Sequence, residues 1–265
     1  NIPVNEARYP ATISVDTEPA TKSVLNAQSK FKFLVKDQYG ETLNKVAANQ
    51  FKDGIEIATR YKLAVTADVY GSAGELKGQD SNYPFTGPTQ TYTGDFTGFN
   101  KGYIFDMSGN QGKIEFKAVL YDTKDGQDRE VASVKRTIEA IDPNTNLTYA
   151  ISQISDVFGI RDSALRTSVA GVTNWDDPAQ LFNVAMAKKV ELTAKDGAGN
   201  KVAIPDNLVI NAVSSNPSVV IAVYSGGTAK VVGYKTGTAT VTVAFRTAKG
   251  EVLTQSVTVN WKADA

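Results

Sequence analysis

One residue pattern in the chain resembles a catalytic motif, namely Ser29 followed three positions later by Lys32. A serine nucleophile with a lysine base uses this Ser-x-x-Lys spacing at the start of a helix. Here the serine opens a stretch of alternating apolar and polar residues, which predicts a strand instead. The chain contains no histidine and no cysteine, which excludes Ser-His-Asp and Cys-His arrangements and thiolate metal sites. It also lacks the nucleophile elbow, the phosphate-binding loop and the dinucleotide fingerprint. We therefore assign no catalytic and no cofactor-binding residue, and we expect no enzyme activity.

Carboxylate pairs are the remaining route to catalysis, because glycoside hydrolysis needs two of them. The densest acidic groups are Asp176-Asp177 and the set formed by Asp122, Asp125 and Asp128. The second group lies in a predicted hairpin turn, where Asp is favoured because its side chain bonds the local main chain. The first group precedes a proline, which is again a turn position. We interpret both groups as turn residues.

Oxygen-bearing side chains at alternate positions 142, 144 and 146 resemble the start of a calcium loop. The full EF-hand pattern fails, because its sixth position would be Leu147 instead of Gly and its twelfth Gln153 instead of Glu. A polar linker is the simpler interpretation of residues 142–146. An isolated calcium site stays open as the alternative, and no metal ligand is assigned. Asn146 also begins an N-glycosylation sequon, a motif so short that chance matches are frequent.

Six aromatic residues cluster in a segment rich in Gly, Ser, Thr and Pro. Exposed aromatic rings can bind sugars, buried rings can fix a loop to its domain, and aromatic residues are also enriched in protein interfaces. Burial is the most common of these roles, and we favour it here. The six residues are Tyr83, Phe85, Tyr92, Phe96, Phe99 and Tyr103.

The composition limits the classes of partner. The chain has 265 residues, 42% of them hydrophobic, and its 28 basic residues balance its 28 acidic ones. A neutral chain offers no electrostatic reason to bind nucleic acid or an anionic membrane. No apolar run approaches the ~20 residues of a membrane helix, so we expect no membrane insertion. Since the chain begins at Asn1 without a signal peptide, we expect a processed form or an excised piece.

The spacing of strands and turns predicts an all-β fold of two tandem immunoglobulin-like β-sandwich domains, the first with a long insertion. The domains are predicted at residues 1–143 and 144–265, and the insertion, a loop that could hold short irregular strands, at 71–102. Several of the alternating strands are followed by a turn that begins with Asp or Thr and ends with Gly. Residues 147–158 fit either a short helix or an irregular strand, and both stay open. The predicted strands of the first domain are 10–16, 30–37, 61–69, 103–107, 113–121 and 129–141.

The stretch 207–243 carries a family resemblance. Its Ser-Ser-Asn-Pro-Ser-Val-Val turn at 214–220 and its Gly-Thr-Ala-Thr-Val-Thr-Val strand at 237–243 resemble the bacterial Ig-like domain of group 2. The resemblance covers roughly residues 185–262. The chain departs from the family pattern at Val220, where Ala is usual, and in carrying Tyr234-Lys235 before Thr236.

The first domain is similar to Ig-like repeats of Gram-positive surface-layer (S-layer) proteins. The similarity rests on the sequence VKDQYGETL at residues 35–43 and covers about residues 10–141. Together the two resemblances imply a structural module of a bacterial S-layer protein. The module would contact neighbouring copies of the same protein in a lattice at the cell surface, and other regions would bind cell-wall polymer. The alternatives are stalk or binding domains of an adhesin, or accessory modules of a secreted carbohydrate-active enzyme.

Overall fold

The structure is a computed structural model that describes residues 6–154, 157–158, 173–174, 177–184, 186–234 and 237–262. Its contacts divide the chain into two compact units, Asn1–Asp142 and Pro143–Ala265. Both units are built almost entirely of strands joined by tight turns. The longest helices among the described residues have five residues.

Unit 1 contains two sheets and a small hairpin. One sheet has the strand order β1-β3-β9-β7, and within this unit the other has the order β2-β11-β10-β6-β8. The hairpin pairs β4 with β5. The elements of unit 1 are β1 (Pro10–Thr17), β2 (Lys22–Ser23), β3 (Gln28–Asp37), β4 (Phe51–Lys52), β5 (Ile55–Glu56), α1 (Ile57–Arg60), β6 (Tyr61–Gly71), β7 (Gly74–Gly78), β8 (Thr89–Thr93), α2 (Thr97–Lys101), β9 (Tyr103–Met107), β10 (Gly112–Asp122) and β11 (Arg129–Ala140).

In unit 1 the buried alternate residues of one sheet pack against those of the other sheet. Every second residue of β3, including Phe31 and Phe33, is fully buried, while its Lys32 faces outward. Phe31 meets Phe116 of the opposite sheet edge-to-face, with ring centroids 5.0 Å apart. Aromatic pairs at this distance stabilise a core beyond the area that they bury. Since buried residues of both sheets belong to one apolar cluster, unit 1 is a β-sandwich.

Residues 71–102 contribute to both sheets of unit 1. Strand β7 pairs with β9 at the edge of one sheet, and β8 pairs with β6 at the edge of the other. Helix α2 follows β8 and packs against β3. The segment predicted as an insertion therefore supplies two edge strands of the sandwich.

Unit 2 is assembled from three groups of strands. Within this unit the groups have the orders β12-β15-β16, β13-β21-β20-β17 and β14-β19-β18. The elements are β12 (Thr148–Ile151), β13 (Val157–Phe158), α3 (Pro178–Phe182), β14 (Lys188–Lys189), β15 (Leu192–Lys195), β16 (Lys201–Ala203), β17 (Val209–Ser214), β18 (Val220–Ser225), β19 (Thr228–Gly233), β20 (Gly237–Arg246) and β21 (Val252–Lys262).

The core of unit 2 consists largely of valine. In β20 the residues Ala239, Val241 and Val243 are buried, while the threonines between them are exposed. The buried valines of β20 and β17 pack with those of β18 and β19 in one cluster, so two sheets again face each other. The predicted all-β fold with tandem immunoglobulin-like sandwiches is confirmed. Of the two alternatives for residues 147–158, the strand is correct for Thr148–Ile151, and residues 155–156 lie outside the described residues.

Candidate functional surfaces

The structure separates Ser29 from Lys32. The two residues lie on opposite faces of β3, because their positions differ by an odd number. The Ser29 side chain is buried, and its Oγ accepts a hydrogen bond from the main-chain nitrogen of Ala20 at 3.0 Å. The Lys32 ammonium lies 3.6 Å from the carboxylate of Asp16. The two side chains therefore do not form a nucleophile and base pair.

Asp37 organises the turn after β3. One carboxylate oxygen accepts hydrogen bonds from the main-chain nitrogens of Tyr39 at 3.0 Å and of Glu41 at 2.9 Å, and the other accepts from Arg8. Gly40 closes the turn with φ = 82°, a left-handed conformation that favours glycine. Burial by itself raises the pKa of Asp37, but the bonds from Arg8, Glu41 and Tyr39 outweigh it and hold the pKa below its ordinary value.

The predicted acidic turn at the end of β10 is held by a buried arginine. Arg60 is only 4% exposed and donates two hydrogen bonds to the carboxylate of Asp122, at 2.8 and 2.7 Å. It also donates to the carbonyl of Lys52 and to the carboxylate of Asp53, both at 2.9 Å. The bond from Arg60 lowers the pKa of the Asp122 carboxyl. We call these four residues the Arg60 cluster.

The other acidic candidates that the structure describes also have partners. Asp125 lies 3.4 Å from Arg129, and Asp128 lies 2.5 Å from Lys62. Asp177 caps helix α3, since its carboxylate accepts from the main-chain nitrogen of Ala179 at 2.9 Å. Asp176 lies outside the described residues. The partners of Asp125, Asp128 and Asp177 are thus basic side chains and a main-chain nitrogen.

The calcium alternative has no direct support in the described part of the chain, where no three acidic side chains come together as a metal site. The side-chain oxygen of Asn146 accepts a hydrogen bond from the ammonium of Lys249. A neighbouring ammonium opposes the binding of a cation at that oxygen. A calcium site near residues 142–146 therefore stays a prediction.

The aromatic residues of 83–103 lie mainly in the core. Phe96, Phe99 and Tyr103 are fully buried, and Phe85 and Tyr92 are half-buried against the same cluster. The hydroxyl groups of Tyr92 and Tyr103 are 3.1 Å apart, and burial raises the pKa of both. Tyr83 is the exposed member, at 39%. The arrangement matches buried rings that fix a segment to its domain, rather than an aromatic sugar platform.

Unit 1 has a groove between two of its strands, which the sequence did not indicate. Strand β8 pairs with β6 only as far as the contact between Thr66 and Thr89, while β6 continues to Gly71. The space beyond the end of β8 has a volume of about 530 Å³ and lies between β6 and β7. We call it the β6–β7 groove. Its lining residues are Ala67, Asp68, Val69, Tyr70, Glu75, Leu76, Phe85, Gly87 and Pro88.

Comparisons with known proteins found only distant structural similarity. No family model matches the chain, and no curated protein matches it. Domains 4–9 of the surface layer protein SbsC share 17% identity at a TM-score of 0.36, over 97% of this chain and 32% of that structure. The fibronectin(III)-like modules of Clostridium thermocellum CbhA share 12% identity at a TM-score of 0.23, over 95% of this chain and 94% of theirs.

A third similar structure is the Yersinia pseudotuberculosis adhesin InvE, with 13% identity and a TM-score of 0.25, over 96% of this chain and 60% of the adhesin structure. No functional conclusion follows from similarities this low. The resemblance of residues 185–262 to the group 2 Ig-like family stays a prediction. No helix in the described ranges is long and apolar enough to span a bilayer.

Proposed function

We propose that this chain is a structural module of a bacterial surface-layer protein and contributes to a lattice through protein–protein contacts. The proposal places the chain outside the cell, at the cell wall, with neighbouring copies of the same protein as partners. Binding to cell-wall polymer would belong to other regions of the parent protein. The resemblance of residues 35–43 to S-layer repeats supports this proposal.

The observation that carries the proposal is that polar side chains of unit 1 form hydrogen bonds within the unit. Asp37 and the Arg60 cluster bond the main chain or each other at the turns of the sandwich. Asn100 is buried and joins three segments: its amide bonds the main-chain nitrogen of Val35, the carbonyl of Leu43 and the side chain of Asn44. Groups bonded in this way hold a frame rigid. A rigid frame suits a module of a lattice. We also propose that the chain is not an enzyme.

Sheet edges provide the contacts that such a module needs. An edge strand presents unpaired N–H and C=O groups, which can pair with another chain. In unit 1, β7 and β8 are edge strands of the two sheets. These edges and the exposed side chains around them are the surfaces that we expect to meet neighbouring copies.

Electron microscopy of the purified chain tests the proposal. The chain is concentrated with calcium and, as the matched control, with a chelator. We expect ordered two-dimensional sheets in at least one condition. Monodisperse particles at every concentration, with and without calcium, would argue against lattice formation.

A further inference from the structure

The β6–β7 groove contains main-chain groups without a partner strand. The main-chain nitrogen of Ala67 donates to the carbonyl of Pro88 at 2.9 Å, so the N–H of Ala67 points towards the β8 side of the sheet. Alternate residues of a strand direct their main-chain groups to the same side. The N–H and C=O of Val69 therefore point into the groove, beyond the last residue pair of β8. Strand β10 pairs with the opposite edge of β6, and within the described residues no strand other than β8 pairs with the edge that faces the groove.

The side chains beside this open edge form two different surfaces. Val69 is 45% exposed and lies on the inner face of the sheet, next to the half-buried ring of Phe85 and the buried Leu76. Asp68 and Tyr70 lie on the outer face. A segment that added to β6 would thus place alternate side chains against apolar groups and against Asp68.

The two acidic residues on the outer face differ in how their charges are balanced. Asp68 stands directly opposite Glu115 in the pairing of β6 with β10, an arrangement of like charges that destabilises a sheet. Glu115 is balanced by Lys113 at 2.6 Å and Lys135 at 3.0 Å. Across the described part of the chain, no cation lies within ion-pair distance of Asp68. A basic side chain beside Asp68 would balance its negative charge, as the lysines balance that of Glu115.

We propose that the β6–β7 groove binds an extended peptide segment that adds to the edge of β6 at Asp68–Gly71. The segment alternates apolar side chains, which pack on Val69, Leu76 and Phe85, with a basic side chain, which pairs with Asp68. The volume of about 530 Å³ lies within the range of roughly 300–1,000 Å³ that is typical of ligand pockets. The inference goes beyond the proposed lattice, because the groove can bind such a segment whether or not sheets form.

Titration of the intact ¹⁵N-labelled chain with two probe peptides tests this proposal by NMR. The first probe is a blocked hexapeptide that alternates valine and lysine, and the second has glutamate in place of lysine. We expect the lysine probe to shift the amide signals of Val69 and Gly71 in a saturable way, while the amides of β20 in unit 2 stay unchanged. Binding of both probes with equal affinity would overturn the role of Asp68, and shifts confined to other surfaces would overturn the site.

Two variants sharpen the test. Asp68→Lys changes an exposed residue and should reverse the preference, weakening the lysine probe about five- to tenfold and strengthening the glutamate probe, since cross-strand charges act with either sign. Val69→Pro removes the N–H that faces the groove without removing a bond to β10, and should abolish binding of both probes. Far-UV circular dichroism confirms that each variant is folded. An unchanged preference in Asp68→Lys contradicts the proposal even if Val69→Pro does not fold.

A second copy of the chain could supply the same segment. If so, the amide signals of Val69 and Gly71 would shift when the protein alone is concentrated, and Val69→Pro would remove the shift. That result would support strand addition at the groove and identify its occupant. A failure of lattice formation in the microscope leaves the peptide titration unaffected, so the two proposals fail separately.

Discussion

Substitution of Arg60 by methionine is the strongest test of how unit 1 is held together. Methionine retains an unbranched apolar stem but removes the donors that bind Asp122, Asp53 and the carbonyl of Lys52. Loss of one partner of a buried ion pair costs ~3–5 kcal/mol. The side chain of Asp122 retains 20% exposure, so water can solvate it partly. We therefore expect a loss near the lower limit, about 3 kcal/mol in the free energy of unfolding.

Urea unfolding measures this loss, and the chain offers an internal reference. Both tryptophans, Trp175 and Trp261, lie in the part of the sequence that forms unit 2. Tryptophan emission therefore follows unit 2, while far-UV circular dichroism follows both units. With a urea slope of about 2 kcal/mol per M, a loss of 3 kcal/mol shifts the midpoint of unit 1 by about 1.5 M. If the two units unfold independently, the urea midpoint of the transition that tryptophan emission follows should stay unchanged.

The matched control for Arg60→Met is Lys62→Met. Lys62 pairs with Asp128 at 2.5 Å, but the two side chains are 32% and 46% exposed, and exposed pairs contribute at most about 1 kcal/mol. The double variant Arg60→Met/Asp122→Leu should regain part of the loss, because no buried carboxylate is left unpaired. If Arg60→Met costs no more than Lys62→Met, the Arg60 cluster is an ordinary surface network and the reasoning fails.

Two further predictions concern buried polar groups of unit 1. The pKa of Asp37 is lowered in the folded chain, so its contribution is fully present above the unfolded pKa of about 3.9 and is lost as the pH falls through the folded value. Urea midpoints measured from pH 5 to pH 3 should therefore decrease less steeply in Asp37→Asn than in the unchanged chain, and equal slopes would contradict the assignment. Asn100→Leu leaves the main-chain nitrogen of Val35 and the carbonyl of Leu43 without their bonds, at about 1–3 kcal/mol for each buried group. A measured loss below about 1 kcal/mol would show that other groups or water replace the amide of Asn100.

Local patterns predicted much of the fold. The strands predicted at residues 30–37 and 237–243 are present as parts of β3 and β20, and both strands bury alternate residues. The turn chemistry was equally local: Gly250 closes on the carbonyl of Thr247 at 2.9 Å, as Gly40 closes on that of Asp37 at 3.0 Å. Both signals depend on residues within a few positions of each other, which is why a single sequence displays them.

Non-local contacts could not be predicted in this way. Arg60 and Asp122 are separated by 62 positions, and an isolated arginine in a sequence is normally an exposed residue. The β6–β7 groove depends on the register of β8 against β6, which begins only at Thr89. The polar segment 71–102 resembled a loop because its strands are short edges whose pairing partners lie elsewhere in the chain. Composition carries no information on such pairing.

The turns after β3 and β15 show how one local rule serves two different purposes. Asp37 and Asp196 each accept main-chain bonds from the residues two and four positions later, at 2.9–3.0 Å. In unit 1 the turn centre adds side chains that bond the segment before β1: the amide of Gln38 bonds the carbonyl of Ala7 and the nitrogen of Tyr9, each at 3.0 Å. The corresponding turn of unit 2 has glycine and alanine at its centre, which carry no group for such bonds. The aspartate thus fixes the turn, while the residues at the turn centre decide whether a unit also holds the chain that leads into it.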